Sequence, residues 1–275
     1  LTVRHQPFKV CVFTVLRNVN RKHSKSTNNT SPSQARDWFS KFDDYLAFSS
    51  FFYNEPAFSP DKLYKIFTID NRIAIVAFNS CLYEGNIEYR CDACFEKDGS
   101  EHYFGWINRK QVQQAGQELN SLGWQGLRIG MFHHHINSAN ALSEESQCQG
   151  DHLRNYYNKK HRLEFVFAKQ HFRILLYGHK HKGDLYQSNK VGTKIPYNFG
   201  AGSFWNVAEN SRETANYLVL QLSPLKGRSR ILMRRYYPAT DDRSGYWGAD
   251  DTITPDGIVP LQDIMIPSPH NTTND

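Results

Sequence analysis

Two short stretches of this 275-residue chain put histidine where chemistry can be done. "RIGMFHHHI" (128–136) runs from an apolar segment into His133, His134 and His135. "LLYGHKH" (175–181) runs from another into Gly178, His179 and His181. Neutral imidazole is a good ligand for zinc, manganese, iron or nickel, and two or three such groups from adjacent loops begin a coordination sphere. In a non-helical loop, residues two apart can face two neighbouring centres. His179 and His181 can therefore serve a pair of metals, with Gly178 letting the backbone turn where a side chain would clash. His5, His23, His102, His152, His161, His171 and His270 stand alone and read as ordinary surface or core residues.

The elements that must position these groups are legible as hydrophobic pattern. "FKVCVFTVL" (8–16) reads as a buried strand, and the stretch from Ser31 to Tyr53 as an amphipathic helix opened by Ser-Pro. "KLYKIFTIDNRIAIVAFNSC" (62–81) holds two strand runs around the turn "IDNR", the pattern of a hairpin. Residues 108–122 predict a helix ending near Gly123. "LRIGMF" (127–132) follows as a strand, then a helix from about Asp151 to Gln170, then the strand "FRILLY" (172–177). "KIPYNFGAGSF", "NYLVLQLS" and "RSRILMRRYYP" are candidate strands of a β-rich close. Strands alternating with helices and then giving way to strands predict a layered α/β fold with mixed sheets. In such sheets ligands collect at strand carboxyl ends, and both histidine clusters fall there.

Composition excludes more than it selects. At 39% hydrophobic and 14% aromatic, the chain can bury a core and is no disordered tail. Its net charge of +6 is a property of its opening, because residues 1–36 carry seven Lys or Arg and no Asp or Glu. The basic stretch "NRKHSKSTNNTSPS" reads as a solvated loop, and no base-reading motif accompanies it. Five cysteines, an odd number without framework spacing, suit a reducing, cytoplasmic setting, and the single "CDAC" (91–94) lacks the second pair of a zinc site. No apolar run reaches membrane-spanning length, so a soluble protein without a membrane partner is expected.

With these residues placed, "RIGMFHHHI" and "FRILLYGHKHKG" resemble the last two signature segments of the calcineurin-like metallophosphoesterases, in which one strand leads to "HH" and a later one to "GHxH". "IAIVAFNSC", "GWINRKQVQQAGQEL", "FGAGSF" and "NYLVLQL" are similar to the intervening and closing elements, so the likeness covers about residues 8–235. The resemblance implies an α-β-β-α sandwich of two mixed sheets flanked by helices, spanning residues 1–240, with residues 241–275 as a C-terminal extension or tail. It implies two divalent metal ions, of manganese, iron, zinc or nickel. His133 and His179 would ligate one and His181 the other. His134 is the expected catalytic residue, and it and His135 would either support the ligands from behind or face the substrate. The implied reaction is hydrolysis of a phosphomonoester or phosphodiester, such as a nucleotide or nucleic acid, by a metal-bridging hydroxide.

The family's opening segments D-x-H and G-D-x-x-D have no counterpart, and its G-N-H-D/E survives only as "VLRNVNR" (15–21), which places Asn18 at the ligand asparagine, or Asn20 if the alignment slides by two residues. Three imidazoles hold two divalent cations poorly without bridging carboxylates. The site in these 275 residues is therefore expected to be incomplete, lacking the fold's opening strands, with an absent N-terminal segment or a partner chain completing it. Two other classes compete: a noncatalytic binding or regulatory module that keeps the scaffold, and a structural site for one cation held by His133, His179 and His181, with or without Asn18.

Overall fold

The computed structural model describes residues 8–11, 42–43, 46–47, 50–51, 62–82, 105–134, 136, 163–178, 184–186, 196–200 and 215–268. Their strands build two sheets. The first begins with β2 (Tyr64–Ile69) and β3 (Ile73–Phe78), the expected hairpin, paired antiparallel from Tyr64 opposite Phe78 to Ile69 opposite Ile73. Its turn puts Asp70 and Asn71 at φ 48° and 51°, the left-handed region that Asp and Asn tolerate best among non-glycine residues. Next come β4 (Leu127–Met131), β5 (Phe172–Tyr177) and β7 (Tyr197–Gly200), each parallel to its neighbour, and β6 (Asp184–Tyr186) closes the edge antiparallel to β7. The order is β2-β3-β4-β5-β7-β6.

The second sheet joins β1 (Phe8–Cys11), β8 (Asn216–Leu222), β9 (Arg230–Tyr237) and β10 (Tyr246–Ala249), with β11 (Ile258–Pro260) also on β9. All its described pairings are antiparallel, so the mixed character expected of both sheets is confined among the described pairings to the first. The short return at 223–229 explains the β8–β9 pair, since a parallel neighbour needs a crossover of a dozen or more residues. Residues 246–266, read from sequence as extension or tail, belong to this sheet and its packing: β10 and β11 flank β9, and Leu261, Ile264 and Ile266 are buried in the core.

Alternation along the strands makes two apolar layers. Ile73, Ile75, Ile129, Ile174, Leu176 and Phe199 face Leu218, Leu220, Ile231 and Met233 between the sheets. On the opposite face of the mixed sheet, Val76, Phe78, Phe132, Leu175 and Tyr177 pack against α1 (Arg109–Ser121) and α2 (Leu163–Lys169). Helix α1 starts where the sequence predicts: Asn108 accepts from the Lys110 amide, and the Gln111 side chain accepts from the Asn108 amide in return. It stops before Gly123, at φ 66°. Val112, Ala115 and Leu119 form its buried stripe. Of the helix expected near 31–53, the described residues 43, 46, 47, 50 and 51 are helical, and Phe42 and Leu46 pack with Leu63, Cys81 and Leu82. The helical layer expected over the outer face of the antiparallel sheet is not represented among the described residues.

Two polar devices tie the helices to the mixed sheet. Lys62 and Tyr64 both donate to the Glu118 carboxylate at 2.8 Å. Partial burial pushes the Glu118 carboxyl up, but these two donors outweigh it and hold the group below the usual glutamate value. Arg128, 4% exposed on β4, donates to Asn120 Oδ1 at 2.7 Å, to the Gln170 carbonyl at 3.0 Å and to the carbonyls of Trp124 and Gly116 at 3.3 and 3.4 Å. Its charge thus sits where both helices run out of intrahelical partners, at the negative ends of their dipoles. Replacing Arg128 by Met keeps the bulk and strands those acceptors. We expect a loss of about 2–4 kcal/mol in urea unfolding. A change below about 0.5 kcal/mol, the range of an ordinary surface substitution, would mean that the guanidinium is not a clamp.

Candidate functional site at the parallel strand ends

Strands β3, β4 and β5 run parallel as neighbours, so their carboxyl ends share one rim. The rim is built first by apolar packing. Phe132, the residue before His133, lies between the rings of Phe167 and Tyr177, each 5.9 Å away and nearly parallel to it at 18° and 22°. Tyr177 is the residue before Gly178. One stack of three aromatic rings therefore fixes both strand ends just upstream of the two histidine motifs. Gly130 makes room for it, since a β-carbon there would sit 2.7 Å from Leu175 Cδ2 and 3.3 Å from Phe167 Cε1.

Backbone pairing then continues past the ends of the regular strands. The Phe132 amide donates to the Leu176 carbonyl at 3.0 Å, and the Gly178 amide to the His133 carbonyl at 3.0 Å. On the other side the His133 amide donates to Ser80 Oγ at 3.1 Å. His133 is thus held by its carbonyl from the β5 side and by its amide from the β3 side. His179 follows Gly178 directly in the chain. His133 and the residue that leads into His179 are thus joined by a backbone hydrogen bond just past the regular ends of adjacent strands.

The third contributor is Asn79-Ser80-Cys81, which follows β3. Asn79 Oδ1 accepts from the Cys81 amide at 2.9 Å, an Asx turn that re-aims the chain after the strand. The Asn79 amide donates to the Leu63 carbonyl and the Trp106 amide to the Ser80 carbonyl, both at 2.9 Å. Ser80 Oγ also meets the His134 amide at 3.3 Å and His134 Nδ1 at 3.0 Å. His134 is 1% exposed and its ring lies against Gly105, where a β-carbon would come within 2.2 Å of His134 Cγ. His133, at 9% exposure, lies nearer the surface, its ring 5.1 Å from that of His134 and perpendicular to it at 82°.

The site residues expected from sequence divide accordingly. His133 and His134 stand together at the end of β4, with Gly178 paired to the first of them. His179, His181, His135 and Asn18 lie outside the described residues, as do both cysteines of "CDAC". His134, expected as the catalytic residue, is enclosed by Ser80 and Gly105, a setting that suits orientation better than contact with a substrate. Ser80, Asn79 and Gly105 were not singled out from sequence. The available signal was the polar pair "NS" directly after the apolar run "IAIVAF" at a strand carboxyl end. Among the described residues no three His, Cys, Asp or Glu side chains converge as a metal-binding group, and no helix is long and apolar enough to cross a membrane. The chain matches no family model and no curated protein.

Gly105→Ala is expected to drive the His134 ring out of its place against the backbone. The cost should be about 1–3 kcal/mol, read as a lowered melting temperature together with shifted His134 ring resonances. An alanine variant with unchanged melting and unchanged ring resonances would contradict the packing described.

Proposed function

We propose that the chain is a metallophosphoesterase scaffold in which His133, His179 and His181 ligate divalent cations that bind and activate a phosphate ester. The observation that supports this reading best is the Gly178 to His133 hydrogen bond, which joins the strand ends carrying "HHH" and "GHKH" on one rim. The sequence resemblance to the calcineurin-like metallophosphoesterases supports it independently, in the order of the elements and in the strand-to-GHxH passage.

The donor set is compatible with such metals. Imidazole suits manganese, iron, zinc and nickel, and His133 has its backbone fixed on both sides, which lowers the entropy lost when its ring binds. Such cations would supply positive charge to neutralise phosphoryl oxygens and would lower the pKa of a bound water molecule. The protein's own part is to hold the imidazoles in place, with His133 the less buried of the adjacent pair and His134 enclosed beside it. Asn18 is the proposed asparagine ligand. A phosphomonoester or phosphodiester, including a nucleotide or nucleic acid, is the proposed substrate class, and the carboxylates that such a centre needs would come from a partner chain or a further segment.

The test is hydrolysis of bis(p-nitrophenyl) phosphate with added Mn²⁺ by the wild type and by His179→Ala, His181→Ala and Asn18→Ala, alongside the Mn²⁺ each retains. Changes in groups that merely support a ligand cost about 10–100-fold, so losing a ligand is expected to lower turnover by at least about 100-fold. Both histidine variants should keep wild-type circular dichroism, and Asn18→Ala should lose less. Metal retention by the wild type without turnover, abolished in the histidine variants, would favour the noncatalytic module over the enzyme. Equal metal retention in the wild type and both histidine variants would overturn the site.

A further inference from the structure

Ser80 Oγ makes three contacts, and the chemistry of a hydroxyl decides how they are shared. A serine oxygen offers two lone pairs and one proton. The amides of His133 and His134, at 3.1 and 3.3 Å, can only donate, so together they occupy both lone pairs. The remaining contact, 3.0 Å to His134 Nδ1, must then be made by the hydroxyl proton. That leaves Nδ1 as acceptor and puts the imidazole proton on Nε2. A proton on Nδ1 instead would require the same oxygen to accept three hydrogen bonds. Gly105 closes the other side, since its missing side chain lets the ring lie flush against the backbone and stay there.

We propose that Ser80 is the positioning residue of this site: its hydroxyl locks His134 as the Nε2–H tautomer and pins the peptide on which His133 stands. The lock matters because His133 and His134 are consecutive and their rings are perpendicular at 5.1 Å, so a turn of the second ring displaces the first. The metal half of this inference rests on the function proposed above. The tautomer half rests on the hydrogen bonds alone. The device spans 54 residues of sequence, from the end of β3 to the end of β4, so it also keeps the two strand ends in step.

The experiment uses the full chain, free of metal, with ¹⁵N-labelled histidine, and compares the wild type with Ser80→Ala and Ser80→Thr. Long-range ¹H–¹⁵N correlations report which ring nitrogen carries the proton, and His134→Asn identifies the signal by its disappearance. The wild type is expected to show His134 with the proton on Nε2, Ser80→Thr to keep that signature through its hydroxyl, and Ser80→Ala to lose it. Mn²⁺ titration of the same proteins should show an affinity about 10–100-fold weaker in Ser80→Ala and close to wild type in Ser80→Thr. A purely structural role would not discriminate tautomers or be rescued by threonine. Should Ser80→Ala fail to fold, the wild-type signature and the threonine variant still decide the matter. A proton on Nδ1 in the wild type, or an unchanged signature in Ser80→Ala, would overturn the proposal. A lost signature with unchanged Mn²⁺ affinity would overturn its metal half. Absence of Mn²⁺ binding by the wild type would count against the metal reading while leaving the tautomer result to stand.

Discussion

The arrangement depends on one backbone contact, the hydrogen bond from the Gly178 amide to the His133 carbonyl. It joins β4 and β5 just beyond their regular strand residues, at the two positions from which the histidine motifs depart. Ile129 faces Ile174 and Met131 faces Leu176, a register in which the Gly178 amide would meet the Phe132 carbonyl; it meets that of His133 instead, because the chain bends there. Everything beneath the rim serves to hold that register. The Phe167, Phe132 and Tyr177 stack fills the space on the helix side, and Ile129, Ile174 and Leu176 fill it on the side of the second sheet. A one-residue slip would reverse the faces of the slipped strand and turn Arg128 or Arg173 into the layer between the sheets.

The rim itself is polar and buried, which is costly unless its groups are mutually satisfied. Ser80 resolves much of this by serving two amides and one ring nitrogen with a single small side chain. Small size is part of the function. Serine and glycine at positions 80 and 105 leave the volume that the His134 ring fills, and a larger residue at 105 would have to move the ring or the strand end. Rigid supports of this kind are what a metal or substrate site needs, because a ligand held in place loses little further entropy on binding.

Much of the architecture could be read from local signals. The hairpin at 64–78, the capped helix after Asn108 and the strands ending before His133 and Gly178 all follow from period, caps and turn residues within a dozen positions. Short strands were harder. β6 has three residues, and β10 ("YWGA") and β11 ("IVP") lack any clean alternation, so their identity comes from pairing with neighbours already in place. For the same reason the stretch after residue 240 read as an appendage, although Ile264 and Ile266 are core residues. The histidines were visible because their type is rare and their position follows an apolar run. Ser80 and Gly105 were not, since a serine and a glycine have many uses and their meaning here comes from a ring 54 residues beyond the first of them. Which of the supporting or substrate-facing roles His134 takes was not legible, for only packing sets His133 at 9% exposure and His134 at 1%.

The most direct test of the account is the content of divalent metal per chain after equilibration with Mn²⁺ and removal of the unbound ion, measured by elemental analysis for the wild type and for His133→Ala side by side. The account predicts that the wild type retains one or two ions per chain and that the variant, still folded, loses them. A wild type that retains no metal, or a variant that retains as much as the wild type, would contradict the claim that the paired ends of β4 and β5 form a metal site.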